Sequence, residues 1–266
     1  MEKMVHKKNI ELWNGISDVY HNFRPIPPKI ITKIILSWLQ TEPDVVVDVG
    51  CGTGLSTIIW DDIVKNIIGI EPNDDMRTTA ESNTNSKHII FKKGVSNETN
   101  LPPAYADIIT VSQAFQWMDI DSTLFEFYRI LRDGGVLSIY GHQLPPIMDW
   151  EIEKASYELR KKCDKLIYSL EKENHLIHND KNTFYDRINS FGKFRYSREV
   201  AFHSVEKCTP QRFMELTLIH GSDTESVKLL PRTIKKEVNK LLELLNKKCN
   251  SEFEIVIPYS MVIAIK

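Results

Sequence analysis

Asp48, three alternating glycines at Gly50, Gly52 and Gly54, and Glu71, seventeen residues beyond the last of them, are the residues of this chain whose types and spacing point to chemistry. Glycine tolerates positive φ and, having no Cβ, lets a ligand lie against the backbone. A carboxylate at the end of the following strand can accept both hydroxyls of a ribose. Met76, a few residues on, offers apolar contact to a flat base. The pattern is GxGxG. A dinucleotide fingerprint, GxGxxG, needs glycine at position 55, where Leu55 stands, and no GK[ST] follows for a phosphate loop. Pyrophosphate is therefore a poor fit to this turn.

Such residues need two strand ends and a tight turn to bring them together. "DVVVDVG" is a β-branched run bounded by Pro43 and Gly50, which predicts a buried parallel strand. "LSTIIWDDIV" predicts the helix after it. "NIIGIEP" is a second strand, and Pro72 pushes Glu71 towards extended geometry at its end. "DDMRTTAES" opens with acids, as a helix N-terminus prefers. "HIIFKKG" and "ADIITVSQAF" read as the third and fourth strands. "STLFEFYRILRDGG" predicts a helix with Ser122 as N-cap and a glycine stop, and "VLSIYGH" a fifth strand. Upstream, the prolines of "FRPIPPKIITKIILSWLQ" mark a helix start, with Ile30, Ile31, Ile34 and Trp38 as its packing stripe. Strand and helix alternate from about residue 27 to 141. This predicts a doubly wound α/β sheet with helices on both faces.

The second half reads differently. Ile152, Ala155, Leu159, Leu166 and Leu170 mark a long helix, and Ile234, Val238, Leu241 and Leu245 mark another. "TPQRFMELTLIHG" has a helix start and a glycine stop, while residues 171–190 are polar and poorly periodic. The segments 198–205 and 253–265 are expected to complete the sheet. The expectation is one domain over 1–266: a cofactor-binding core at 27–141, a largely helical lid and substrate region with one core strand at 145–250, and a final strand at 253–266. The fold class is a Rossmann-like, mostly parallel seven-stranded sheet with an antiparallel last strand.

Composition narrows the partners. The formal net charge is −2, from 34 basic and 36 acidic residues, which gives no electrostatic reason to expect nucleic acid. Cys51, Cys163, Cys208 and Cys249 are scattered without a CxxC pair, so neither a disulfide framework nor a zinc cluster is expected. "MEKMVHKKNIELW" lacks the apolar core of a signal peptide, and no run reaches the roughly 20 apolar residues of a membrane span. A soluble, cytoplasmic protein without membrane partner is the expectation. Oligomeric state is not legible.

The residues together resemble the class I S-adenosylmethionine-dependent methyltransferases. "DVGCGTG" at 48–54, "GIEP" at 69–72, "ADIITVSQAFQW" at 106–117 and "RILRDGG" at 129–135 carry the likeness. "VYHNFRP" at 19–25 is similar to the tyrosine-arginine-proline entry of the small-molecule, trans-aconitate-type subgroup. The resemblance implies S-adenosylmethionine as cofactor and S-adenosylhomocysteine as product. It implies that Glu71, with Pro72 and Met76 beside it, holds the ribose, and that Gly50, Cys51 and Gly52 approach the methionine portion. Asp48 is expected to orient the glycine turn. Val95 and Ser96 are expected beside the adenine, where many members place an acid and this chain has "GVSNET". Gln113, Ala114 and Phe115 should flank the sulfonium, and Tyr20 and Arg24 should reach the cofactor carboxylate or the acceptor.

Methyl transfer is an in-line displacement that needs alignment and exclusion of water, and no metal. A carboxylate acceptor needs no base. A hydroxyl or amine acceptor needs one, for which His142 and His220 are the candidates. Gln116 stands where many relatives carry histidine, and glutamine cannot serve as a base. The expectation is catalysis by positioning, with Gln116, Trp117, Tyr20, Arg24 and His142 around a small-molecule acceptor and a carboxylate oxygen preferred. An NAD-dependent oxidoreductase and a non-catalytic cofactor-binding module are the alternatives.

Overall fold

The structure is a computed structural model that describes residues 2–174, 176–218 and 234–266, the side chains of 2–6 and 166–174 excepted. Seven strands form one sheet: β1 (Val45–Val49), β2 (Asn66–Ile70), β3 (Ile89–Lys92), β4 (Ala106–Ser112), β5 (Leu131–His142), β6 (Tyr196–Cys208) and β7 (Phe253–Ile265). Their order is β3-β2-β1-β4-β5-β7-β6. The first five are parallel, and β7 runs antiparallel to both β5 and β6. The two expected late segments thus complete the sheet, with the earlier one at its edge.

Alternation builds both faces. Val46 and Ile108 face one apolar layer, while Val45, Val47, Val49 and Ile109 face the other. Burying each such side chain contributes roughly 1.5–3 kcal/mol. One layer is covered by α3 (Ile30–Leu36), α6 (Trp150–Asn174), α8 (Pro210–Leu218) and α9 (Lys235–Lys248). The other is covered by α5 (Ile120–Ile130) and α7 (Phe184–Ser190). The strand order reverses between β1 and β4, so the crevice at their C-terminal ends is the favoured ligand position of an open α/β sheet. Gly50 follows β1 and Gln113 follows β4 at this point.

Four local expectations are corrected. Residues 55–64 form turns around a short 3₁₀ segment, Ile58–Trp60, in place of the expected helix. The hydroxyls of Ser56 and Thr57 point inward to Asp48, and Thr57, Trp60, Asp61 and Ile63 donate to carbonyls three residues back. The N-cap of α5 is Asp119, which accepts from the Ser122 N–H, because the chain is already helical at Ile120. That helix ends at Ile130 and "LRDGG" begins β5. In α3 the fully buried pair is Ile31 and Ile35, one turn apart, while Ile30 is 40% exposed.

In α6, Ile152, Ala155, Leu159 and Cys163 form a buried seam that meets Leu241 and Leu245 of α9 on the same layer as Ile255 and Ile257. These helices are part of the sheet's covering layer. The cover nearest the crevice is α1 (Glu2–Glu11) and α2 (Ser17–Phe23), the latter packed on α4 (Asp74–Ser82).

Candidate active site

Asp48 is the penultimate residue of β1 and is fully buried. Its Oδ2 accepts from the hydroxyls of Ser56 and Thr57 at 2.7 Å each, and Oδ1 from Thr110 at 2.8 Å. Burial pushes its carboxyl above the usual range, and the three hydroxyls oppose that rise. Asp48 therefore sits beneath the glycine turn and ties it directly to β4.

The turn above is bare for a steric reason. Gly50 has φ of +71°, and a Cβ there would lie 2.6 Å from the Cβ of Ala114. Gly52 also has positive φ, +55°, with open space where a side chain would project. Its N–H donates to Glu71 Oε2 at 2.9 Å, while the Asn73 N–H donates to Oε1 at 2.9 Å. Burial pushes the Glu71 carboxyl up to about 7, against the pull of those two N–H groups. Each oxygen keeps a further lone pair for a ligand hydroxyl. Cys51 differs from expectation. It does not line the pocket, and its Sγ lies against Gly69, where a Cβ would approach it to 2.9 Å. Burial, then Glu71 and Asp48, push its thiol well above the ordinary range, which makes it inert packing.

Gly50, Gly52, Glu71, Pro72 and Met76 open onto one pocket. Val95 and Ser96 close its far end, with Ser96 Oγ 2.7 Å from Thr123 Oγ1. Asn97, also in the wall, was not singled out from sequence. Asn9, Ile10 and Trp13 of the N-terminal segment complete the pocket, and no sequence motif marked them. Asn9 clasps α1 in place: Nδ2 donates to Ile177 O at 2.8 Å and to Trp117 O at 3.3 Å, and Oδ1 accepts from the Ile177 N–H at 3.1 Å. Trp13 meets Tyr20 and Trp117 edge-on, at 5.6 Å and 6.2 Å.

A second, wider hollow of about 1030 Å³ adjoins the first. Gln113 and Ala114 line both. Gln113 holds a φ of +55°, costly for a non-glycine residue and typical of a ligand site. Its Nε2 donates to His142 O at 2.7 Å, and its Oε1 accepts from Lys181 Nζ at 2.6 Å. Gly141 leaves room for that amide, since a Cβ there would lie 3.0 Å from it. Gln116 is buried and donates to Gln113 O at 2.9 Å, which braces the same junction.

The expected acceptor residues separate. Gln116, Phe115 and His142 line the second hollow, whereas Tyr20 and Trp117 line the cofactor pocket. Trp117 stacks on His178 at 4.5 Å. Arg24 is not in either wall. Its guanidinium lies over the Tyr20 ring at 4.7 Å, and Nη1 is 2.8 Å from His142 Nε2. Arginine can only donate, so Nε2 of His142 accepts and its proton sits on Nδ1. Burial, then Arg24, Lys181 and Arg160, hold His142 well below the usual histidine range. Its basic lone pair is taken by the Arg24 N–H, an arrangement in which His142 orients Arg24. His220 lies outside the described residues.

The donor set fits S-adenosylmethionine: a two-oxygen acceptor at Glu71, a glycine backbone that no side chain could replace at Gly50, and an apolar wall at Met76 and Val95. Comparison with known proteins agrees. Residues 47–139 match the family described as methyltransferase domain. They form a class I S-adenosylmethionine-dependent methyltransferase domain. A Dictyostelium discoideum protein named as a methyltransferase is 31% identical over 135 residues, 51% of this chain and 50% of its own length. A Saccharomyces cerevisiae protein named as an S-adenosylmethionine-dependent methyltransferase is 26% identical over 49% of this chain and 47% of its own length. The chain thus matches only about half the length of these curated relatives. A solved structure described as a type II methyltransferase from Anaeromyxobacter dehalogenans superposes with a TM-score of 0.67 at 17% identity, covering 91% of this chain and 98% of that one. This likeness extends the methyltransferase fold beyond the matched domain to both ends of the sheet. Among the described residues no helix is long and apolar enough to cross a membrane, and no cluster of His, Cys, Asp and Glu could hold a metal.

Proposed function

We propose that the protein transfers a methyl group from S-adenosylmethionine to a small-molecule acceptor, through a carboxylate oxygen. The observation that carries this is the shared wall of Gln113 and Ala114, which joins a Glu71 pocket suited to the cofactor to a separate hollow suited to the acceptor. When bound, S-adenosylmethionine supplies a methyl carbon activated by a positive sulfonium. Glu71 accepts the ribose hydroxyls, and the Gly50–Gly52 backbone lies against the methionine portion. Trp13, Tyr20 and Trp117 exclude water from the pocket. Gln113, braced by Gln116 and Lys181, fixes the boundary across which the methyl passes.

A carboxylate suits the protonation states present. The acceptor oxygen forms the new O–C bond while the C–S electron pair returns to sulfur, giving a neutral ester and a neutral thioether with no proton to remove. His142 has no free lone pair for base work, and Gln116 is not a base. The cationic groups Arg24, Arg160 and Lys181 around His142 favour an anion in this region. The "VYHNFRP" segment supports the trans-aconitate-type subgroup as the finer placement. Binding of S-adenosylhomocysteine by calorimetry, abolished in Glu71→Ala, followed by a labelled-methyl screen of acids, amines and phenols, tests the reading. Transfer to amines or phenols alone would overturn the carboxylate preference, and binding of NAD in place of the sulfur nucleosides would overturn the class of chemistry.

A further inference from the structure

The acceptor hollow is open because one row of its floor carries almost no side chain. In the sheet register Gly141 of β5 lies beside Ser260 of β7, and Ser260 beside Ala201 of β6. Two residues away on the same face, Ile139 lies beside Val262. Ile139 and Val262, with Phe184 of α7, give the hollow an apolar back, and Phe115 meets Phe184 edge-on at 4.9 Å.

Lys181 enters this space from the segment before α7. That segment is pinned. The Asn179 N–H and Nδ2 donate to Gln116 O at 2.8 Å and 3.1 Å, and Nδ2 also donates to Met118 O at 2.9 Å. The Lys181 ammonium donates to Gln113 Oε1 at 2.6 Å. Gln113 is shared with the cofactor pocket, so the ammonium stands at the junction of the two spaces. An ammonium has three N–H donors. Among the described residues its oxygen partner is this neutral amide, and Arg24 and Arg160 act on it as like charges. A carboxylate at this point relieves that repulsion and takes a donor that Gln113 does not use.

The rest of the wall sets how many carboxylates fit. Among its described residues Lys181 is the one lysine or arginine, while Asp164, Asp180 and Glu199 also line the hollow. Asp164 lies 3.9 Å from Arg160, and Asp180 Oδ1 accepts from the Asn182 N–H at 2.9 Å. The wall compensates one carboxylate, and a second meets fixed negative charge.

We propose that the acceptor is a monocarboxylic acid with an apolar body, its carboxylate paired with Lys181 at the Gln113 junction and its body on Ile139, Val262 and Phe184. This rests on the methyltransferase reading above. One carboxylate oxygen accepts from Nζ. The other forms the O–C bond with the methyl carbon while the C–S electron pair returns to sulfur, so Lys181 keeps its proton. The ester is neutral and loses the ion pair, which favours its release. Lys181 is thus a specificity-determining residue. The charge of the hollow, and not the likeness of residues 19–25, sets the count of one carboxylate.

The test is calorimetry on the full chain saturated with S-adenosylhomocysteine, with octanoate, octanamide and suberate as probes. Octanoate and octanamide share a shape and differ in charge, and suberate adds a second carboxylate to the same chain. The parent is expected to bind octanoate about tenfold or more tightly than octanamide, as one charged hydrogen bond implies, and about tenfold or more tightly than suberate. In Lys181→Met the preference for the acid over the amide is expected to vanish, with bound S-adenosylhomocysteine reporting that the variant is folded. Octanoate that fails to bind, equal binding of octanoate and octanamide by the parent, or a preference that survives in Lys181→Met overturns the role of Lys181. Suberate bound as tightly as octanoate overturns the single carboxylate. The methyltransferase reading survives each of these results, because it is read from S-adenosylhomocysteine binding by the parent; a parent that does not bind it ends that reading and the proposal with it. The acid–amide comparison is made on the parent, so it does not depend on the folding of the variant.

Discussion

The backbone N–H of Gly52 donates to Oε2 of Glu71 at 2.9 Å, so the glycine turn after β1 is tied to the end of β2 by the carboxylate that faces the pocket. Glu71 thereby shapes the turn and offers its remaining lone pairs to a ribose. Replacing it with alanine removes both functions. Hydrogen bonds to a charged group contribute about 1.5–3 kcal/mol, so loss of two predicts affinity for S-adenosylhomocysteine lower by about a hundredfold or more. Calorimetry on Glu71→Ala measures this. A variant that binds within about threefold of the parent contradicts the assignment.

The raised Glu71 carboxyl, at about 7 against 4.5 for an ordinary glutamate, gives two opposite pH dependences. The folded state holds the proton that the unfolded state releases, so this group stabilises the free protein at low pH. That contribution, about 3 kcal/mol at most, is lost as pH rises from about 4.5 through 7. Hydroxyl binding needs the ionised form, so cofactor affinity should instead increase with pH through 7, with proton release on binding. Denaturant unfolding of parent and Glu71→Gln at pH 5 and pH 8 checks the first effect, because Asp48 contributes equally to both proteins. Calorimetry in buffers of different ionisation enthalpy checks the second.

Gly50→Ala should damage the turn twice. A side chain at φ of +71° costs roughly 1–2 kcal/mol, and its Cβ would lie 2.6 Å from Ala114 Cβ. Destabilisation of at least about 2 kcal/mol is expected. Combining it with Ala114→Gly should recover the steric part and leave the backbone strain. A double-variant cycle by chemical denaturation gives that coupling, and strict additivity would show that the two positions do not touch.

What was legible in the chain was local. Val45–Val49, the alternating glycines and the acid before Pro72 announce their geometry within a few residues, because β-branched runs, positive φ and the pre-proline restriction are short-range effects. Residues 55–64 were misread because Ser56 and Thr57 turn inward to Asp48, a demand that helical periodicity does not record. Asn9 and Lys181 were invisible for a different reason. Asn9 matters through Ile177, 168 positions away, and Lys181 through Gln113, 68 positions away.

Asn9 should act on the cofactor pocket and little on the sheet. Its amide holds α1 against Ile177 and Trp117 by three hydrogen bonds. Asn9→Ala is expected to weaken S-adenosylhomocysteine binding by about tenfold, as loss of one to two neutral hydrogen bonds implies. Unfolding midpoints should move little. Hydrogen exchange should show faster opening of the Ile10–Trp13 amides, and unchanged exchange there would contradict the clasp.

His142 separates positioning from base catalysis. Its Nε2 accepts from Arg24 at 2.8 Å, and it is held well below the usual histidine range, so it is neutral with its lone pair engaged. In His142→Gln the new amide oxygen can take the same Arg24 proton. Turnover of an acceptor found by the labelled-methyl screen should then stay within about tenfold of the parent, because loss of a general base typically costs 10²–10⁴-fold. The pH–rate profile of the parent should show no inflection near the ordinary histidine value, and His142→Gln should leave that profile unchanged. A loss of about a thousandfold in His142→Gln, with an inflection that disappears in the variant, would assign His142 the base role and turn the search for acceptors from carboxylates to hydroxyls and amines.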